Sequence, residues 1–495
     1  TIPFFYNLGN SNSPPTGANS SFQKRIIGVY AQASLGYKEQ LFLTVNARND
    51  WSSTLPLNNN NFFYPGANLA WLASRTFAMD NSKISLLKFR AAYGETGADA
   101  QPYLIYPTIQ QGNIPPTTGM PYGQINFPIA GVNGFTITPS IGNLNLKPIL
   151  TRELELGLEA KFFDNRIGID ADVYDKETDG QIFNVPISPS SGYSGIIENV
   201  GLVTNRGIEI TLNINPVRTK NFNWNINYTF AKNESKVVRL ASGLDKIQEG
   251  NDGLSGGMEF DLFPGKPVGI FYSPVPLYTP DGKIVVDATT GFPVEAPTKA
   301  DIGTSQRDFT MGLVNSFSYK NWSLGFSLDY RQGGKFYSST ADITMFSGNA
   351  AITTYNDRKP FIIPNSVNQI PGTDDKPVYV ENKTQIGESV FDSYFYTNNN
   401  KPIAYPMRLI DKSFIKLRDV TISYTLPAKW AGAIKSSSLM LSAYGRNFIL
   451  WLPKGNRYID PEVSNLGNDL QSEFGEYSPT GPTTVQFGVS LKASF

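Results

Sequence analysis

The sequence predicts an all-β fold: a transmembrane up-and-down antiparallel β-barrel of about 13 strands, with long loops at one end and short turns at the other. Two patterns predict it, and the end of the chain adds a third. In segment after segment, apolar and polar residues alternate with period 2, as in strands that turn one face to an apolar surrounding and the other to a polar one. The connections between those segments are by turns long and short, which collects the long ones at one end, as in a transmembrane barrel. The last segment, Thr484 to Phe495, alternates Val485, Phe487, Val489, Leu491 and Ala493 and closes on an aromatic residue, as outer-membrane barrels usually finish.

Taken in order, the segments are 25–38 and 41–50, joined by Glu39 and Gln40, then 63–73 and 86–96 across links of about twelve residues. A stretch of over fifty residues leads to 151–162, where Leu154, Leu156, Leu158, Ala160 and Phe162 oppose Glu153, Glu155, Glu159 and Lys161. Asp164-Asn165 is a tight turn into 166–178, where Ile167, Ile169, Ala171 and Val173 oppose Asp170 and Asp172. Segments 205–214 and 222–233 flank the short link 215–221; Trp224, Ile226, Tyr228 and Phe230 lie opposite Asn223, Asn225, Asn227 and Thr229. After a very long connection, 307–320 and 321–332 meet at Lys320-Asn321, and NWSLGFSLDYR alternates strictly. A second very long connection precedes 414–425, whose phase slips between Leu417 and Val420, the mark of a β-bulge. The short link 426–436, the strand 437–447 and the long link 448–483 lead to the closing strand 484–495.

Composition narrows the chemistry. The 495 residues include no Cys and no His, which excludes Ser-His-Asp and Cys-His nucleophiles, thiolate metal sites and disulfides. Lys plus Arg and Asp plus Glu balance at 42 each, so no net field draws in nucleic acid. No run approaches the roughly 18 apolar residues of a membrane-crossing helix. Thr1 to Phe5 lack the basic and apolar regions of an export signal, so either the chain is cytosolic or it is a mature or partial one. Glu153 and Glu155 are paired carboxylates, but barrel walls repeat such i, i+2 pairs without catalytic meaning, and no enzyme, cofactor or metal is expected. The stretch 279–293 holds Asp281, Asp287 and Gly291 but not calcium-loop spacing, and Asp281-Gly282 reads as a hairpin turn.

The chain resembles the SusC-like TonB-dependent outer-membrane transporters of Bacteroidetes. The stretches that carry the resemblance are LTVNARNDWSS, YPGANLAWLAS, ISLLKFRAAYGETG, NLNLKPILTRELELGLEAKFFDNRIGIDADVYDKETDGQI, ENVGLVTNRGIEITL, FPGKPVGIFY, FIKLRDVTISYTLP and VQFGVSLKASF, in family order. The resemblance implies that the chain is the carboxyl-terminal part of a barrel of about 22 strands. Residues 1–24 would end an extracellular loop, residues 25–495 would be barrel, and the plug and first strands would lie elsewhere. It also implies TonB-dependent import of a bulky nutrient such as an oligosaccharide or peptide, with a SusD-like surface lipoprotein, TonB acting through the plug, and outer-membrane lipid around the wall.

On that reading Glu153, Glu155, Glu159, Asp170, Asp172, Glu209, Asp329 and Arg331 should line the lumen, opposite lipid-facing Trp322, Leu324, Phe326 and Leu328. Phe487, Val489, Leu491 and Phe495 form the barrel-terminal signal. Aromatic rings in the long loops or at their roots are the candidates for stacking on a solute: Phe336, Tyr337, Tyr355, Tyr394, Phe395, Tyr396, Trp451 and Tyr458. Loop packing or a rim girdle would account for the same rings. Two other classes stand against import: an outer-membrane barrel serving as assembly scaffold or surface adhesin, and a soluble glycan-binding β-sandwich protein.

Overall fold

The computed structural model describes residues 21–79, 83–114, 125–241, 243–251, 257–370, 377–386, 404–464, 470–476, 480–481 and 483–495. Thirteen strands pair in chain order into one antiparallel sheet, each beside the one before it. They are β1 (Ile26–Tyr37), β2 (Leu41–Ser52), β3 (Asn61–Leu72), β4 (Ile84–Ala98), β5 (Ile149–Phe162), β6 (Ile167–Asp179), β7 (Leu202–Arg218), β8 (Phe222–Arg239), β9 (Phe309–Tyr319), β10 (Trp322–Gln332), β11 (Phe414–Thr425), β12 (Ser438–Trp451) and β13 (Gln486–Ser494). All thirteen expected strands are present. Among the described residues β1 pairs only with β2 and β13 only with β12, so the sheet has two free edges.

The turns follow their residues. Lys38 and Glu39 both take positive φ, as a tight hairpin joining right-twisted strands requires. The phase slip in β11 is a bulge: Leu328 faces Leu417 and Ser327 faces Asp419, leaving Arg418 as the extra residue, and the pairing with β12 shifts at the same place. In the 279–293 stretch Gly282 takes φ +83°, its N–H donates to the Thr279 carbonyl at 2.9 Å, and Tyr278 pairs with Ile284, so this is a hairpin turn. Asp287 spends its Oδ1 on the backbone N–H groups of Thr289 and Thr290 and on the Thr290 hydroxyl.

Several strands run longer than the sequence pattern, β7 and β8 most of all. β7 and β8 pair out to Leu202 and Arg239, several residues past the expected 205–214 and 222–233. Lys232, Glu234 and Lys236 occupy the positions that Trp224, Ile226 and Tyr228 hold lower down, so polarity stops alternating while pairing continues.

The buried apolar cores lie among the long connections rather than in the sheet. One holds Met258, Phe260 and Phe271 from the β8–β9 connection, Tyr337 and Tyr405 from β10–β11, and Phe474 from β12–β13. A second joins Val286 and Phe292 to Ala341, Met345, Phe361 and Ile363. Short parallel ladders stitch the same connections: Ile284–Val286 with Ser366–Asn368, and Tyr337–Ser338 with Gly475–Glu476. At roughly 1.5–3 kcal/mol for each fully buried large side chain, these contacts make the three connections one cap. Among the described residues no helix is long and apolar enough to cross a membrane, which says nothing of strands.

Candidate functional site

The sheet has one apolar and one polar face, and the candidate site is the polar face with the cap folded onto it. Leu154, Leu156 and Val173 are exposed on the apolar face. Across from them the register of β4, β5 and β6 sets Arg90 beside Gly157 and Gly157 beside Asp172. The missing side chain at Gly157 leaves room for the guanidinium: a Cβ there would lie 2.2 Å from Asp172 Oδ1 and 2.7 Å from Arg90 Nε. Arg90 donates to Asp170 at 2.6 Å and to Asp172 at 2.7 Å, while Glu159 takes Lys88 at 3.3 Å and Lys161 at 3.0 Å. Glu153, Glu155 and Glu209 share this face and enter no ion pair among the described residues. The wall of β5–β7 is therefore fixed by bridges toward its short-turn end and carries unbridged carboxylates further up.

The second cluster ties the cap to the wall. Phe414, the buried first residue of β11, has four cations around its ring: Arg331 at 5.4 Å, Arg418 at 5.7 Å, Arg307 at 5.8 Å and Lys416 at 5.9 Å. The β12–β13 connection brings carboxylates to them. Lys416, 2% exposed, donates to Asp460 at 2.6 Å and to Glu462 at 2.8 Å, and Asp460 is 4% exposed. Arg418, pushed out of register by the bulge, forks onto Glu462 at 2.5 and 2.6 Å and also reaches Asp329. Arg331 meets Asp329 at 3.2 Å and Glu462 at 3.1 Å, and Lys412 holds Glu473.

Burial would push the Glu462 carboxyl up, but the hydrogen bonds from Arg418 and Lys416 outweigh it and hold Glu462 down at about 2. For Lys412 burial wins over Glu473 and brings the ammonium down to about 8. Deeper in the cap, burial lifts Asp261 to about 6 although Lys246 donates to it at 2.8 Å.

The expected site residues divide. Glu159, Asp170, Asp172, Asp329 and Arg331 are on the polar face and ion-paired, and Glu153 and Glu155 are on it unbridged. Phe487, Val489 and Leu491 are exposed on the apolar face of β13, at 72%, 72% and 64%, and Phe495 ends the chain exposed. Two loop aromatics need correcting: Phe336 packs on Ile410 and Ile459, and Tyr337, 0% exposed, stacks on Phe474 at 5.3 Å. A ring with no open face cannot stack on a solute, so both serve the cap core. Trp451 is the last residue of β12, at the root of the long β12–β13 connection, paired with Ile415 and half-exposed. Tyr355 is exposed and meets Phe361 edge-on at 4.9 Å, and Tyr458 packs partly buried against both Phe336 and the second core. Tyr394, Phe395 and Tyr396 lie outside the described residues.

Of the cluster around Phe414, sequence reasoning named Asp329 and Arg331 as wall residues and missed the rest. The one visible trace of the rest was the phase slip in β11, which is where Arg418 leaves the ladder; Asp460, Glu462 and Glu473 sit in aperiodic sequence.

An antiparallel meander with one apolar and one polar face, and three of its long connections folded together at one end, is the wall of a transmembrane β-barrel. The chain belongs to the TonB-dependent receptor-like β-barrel family, whose model matches residues 2–448. Among curated proteins it is similar to TonB-dependent receptor P26 of Formosa agariphila, 27% identical over 98% of this chain and 48% of the relative. TonB-dependent receptor P3 of the same organism is 25% identical over 96% of this chain and 46% of its own length. TonB-dependent receptor SusC of Bacteroides thetaiotaomicron is 25% identical over 66% of this chain and 34% of its own length. Among solved structures the RagAB peptide transporter superposes with a TM-score of 0.69 at 18% identity, covering 95% of this chain and 48% of that one, which establishes the shared fold. The chain spans about half the length of the Formosa relatives it matches.

Proposed function

We propose that this chain forms the greater part of the wall and the outer cap of a TonB-dependent importer in the outer membrane of a Gram-negative bacterium, taking up a bulky nutrient such as an oligosaccharide or peptide. The observation that carries the reading is the cap: three long connections share one core, and one of them, β12–β13, is clamped to the wall by buried Lys416 over the polar face. A wall acting only as scaffold or adhesin has no need of such a cover above a charged lumen. In this reading residues 1–24 end an extracellular loop and residues 25–495 are barrel. A plug-bearing N-terminal segment completes the wall, TonB acts through that plug, and a SusD-like lipoprotein covers the cap. The family, and relatives that are TonB-dependent receptors, support this assignment.

The test is uptake by intact cells of a panel of fluorescent oligosaccharides and peptides. Wild-type cells should accumulate at least one member, and both deletion of the receptor and a protonophore should stop it. Unchanged uptake in the deletion strain, together with loss of other outer-membrane proteins or of adhesion, would move the assignment to the scaffold or adhesin class.

The two faces of β10 give a sharper check. Trp322, Leu324, Phe326 and Leu328 are assigned to lipid, and Ser327, which hydrogen-bonds Asp419 across the ladder, to the lumen. Phe326→Arg should cost about 2–4 kcal/mol of barrel stability, whereas Ser327→Arg, landing beside the Asp419 carboxylate, should cost little. Urea unfolding in detergent or lipid measures both. Equal costs would refute the assignment of faces.

A further inference from the structure

We propose that Arg307 is an anion-recognition residue, receiving the carboxylate of an acidic solute in a cleft between the cap and the wall. The inference rests on the import reading only in treating that solute as cargo.

It starts from the charges around Phe414. Five cations gather there, Arg307, Arg331, Lys412, Lys416 and Arg418, against four carboxylates, Asp329, Asp460, Glu462 and Glu473. Four of the cations are ion-paired. Among the described residues Arg307 enters no ion pair, and its Nη1 is buried without an acceptor. Burial, then the like charge of Arg331, works against the guanidinium, and the carboxylates that favour its charge, Glu473 and after it Glu462 and Asp329, are already held by Lys412, Lys416, Arg418 and Arg331. A buried N–H with no acceptor is costly in a resting structure, and a ligand that supplied the acceptor would remove that cost. A guanidinium fits that role because its parallel N–H groups match the two oxygens of a carboxylate.

The surroundings give the ligand a shape. Arg307 lines a cleft of about 390 Å³ with Tyr174, Asn205, Glu209, Asn233 and Gln306, and with Glu473, which Lys412 already holds. Tyr174 donates to Asn233 at 3.2 Å, and Asn233 donates to Asn205 at 3.3 Å, so a chain of hydroxyl and amides forms a neutral polar floor. Glu209 opposes Ala231, which opposes Thr310, putting Glu209 two strands away from Thr310, or about 10 Å. Arg307 lies three residues beyond Thr310, so the unbridged carboxylate and the unpaired guanidinium sit at opposite ends. An anionic group is repelled from the Glu209 end and drawn to Arg307, while uncharged polar groups of the same solute lie along the amides. A uronic-acid oligosaccharide and a peptide with a free carboxyl terminus both offer that chemistry.

The experiment uses the purified full-length receptor and two matched probe pairs: trigalacturonate with its methyl ester, and trialanine with its carboxyl-terminal amide. Calorimetry should find at least one acid binding about tenfold or more tighter than its neutral mate, and which pair does so identifies the source of the carboxylate. Arg307→Gln should bring that ratio to about one, and Arg307→Lys should leave it intermediate. Arg307→Gln should melt within a few degrees of wild type, because the charge it removes has no ion-pair partner and gives up only one of the four cation contacts on Phe414, and this separates lost recognition from lost folding. Equal binding, or none, by the acid and neutral members in the wild type overturns the proposal, as does an acid preference that survives Arg307→Gln. If uptake proves independent of the proton gradient while the acid preference stands, the import reading fails and this one does not.

Discussion

Refolded alone in detergent, this chain will not reach a compact, protease-resistant barrel, and adding a segment that supplies the missing strands will rescue it. β1 carries Ile27, Val29, Leu35 and Tyr37 exposed, and β13 carries Phe487, Val489 and Leu491 exposed, so both edge strands belong beside lipid. Among the described residues each has a ladder partner on one side only. In hydrocarbon an unpaired backbone group costs several kcal/mol, and about half the residues of such a strand direct their N–H and C=O outward, so two free edges cost far more than a typical domain's whole stability. In a family barrel of about 22 strands, roughly nine more are needed to join them. The measurement is heat-modifiable migration and trypsin resistance, with and without the N-terminal segment. Because the sequence has no cysteine, a pair placed at Gln32 and Ser490 reports directly on the edges. A disulfide between them in the chain alone, in a trypsin-resistant form, would show that β1 and β13 close on each other and would sink the expectation.

Those two edges follow from what the sequence discloses most plainly. Period-2 alternation depends only on the contrast between the two faces, so wherever lipid-type and polar faces persist, as in 151–162 or 321–332, the strand is legible. It fails where the contrast ends before the pairing does: β8 runs on past Asn233 as far as Arg239 with Glu234, Lys236 and Arg239 among its last residues, which reads as loop. The cap was less legible still. Phe336 and Tyr337 look like free loop aromatics until Ile410 and Phe474, some 70 and 140 positions on, are folded against them. Contacts of that separation leave no local period, and single aromatic residues in a loop read alike whether they face solute or core. The same holds for Arg307, whose sequence neighbours Gln306 and Asp308 say nothing of the cations gathered around Phe414.

The costliest single change on the polar face is expected to be Lys416→Met. Lys416 is almost fully buried with Asp460 and Glu462 as its partners; Arg418 and Arg331 would still hold Glu462, but the buried Asp460 carboxylate would lose its cation. Removing one member of a buried pair costs about 3–5 kcal/mol, and here the loss falls on the contact that fixes the β12–β13 connection to the wall. The variant should therefore be cut by protease within 453–463 under conditions that leave the wild type intact. Lys359→Met is the control, since Lys359 and Asp357 are both largely exposed at 3.8 Å and such pairs contribute close to nothing. Acid should loosen the same contact by a different route. Glu462 is held at about 2, below the 4.5 of a free side chain, so its stabilisation is complete above pH 4.5 and is lost as pH falls through 2. Protease sensitivity of the 453–463 stretch should rise over that window in the wild type, and Glu462→Gln should be sensitive already at neutral pH and change less on acidification. If Lys416→Met is as resistant as Lys359→Met, the ion pairs do not hold the cap, and its three-loop core alone must keep it over the polar face.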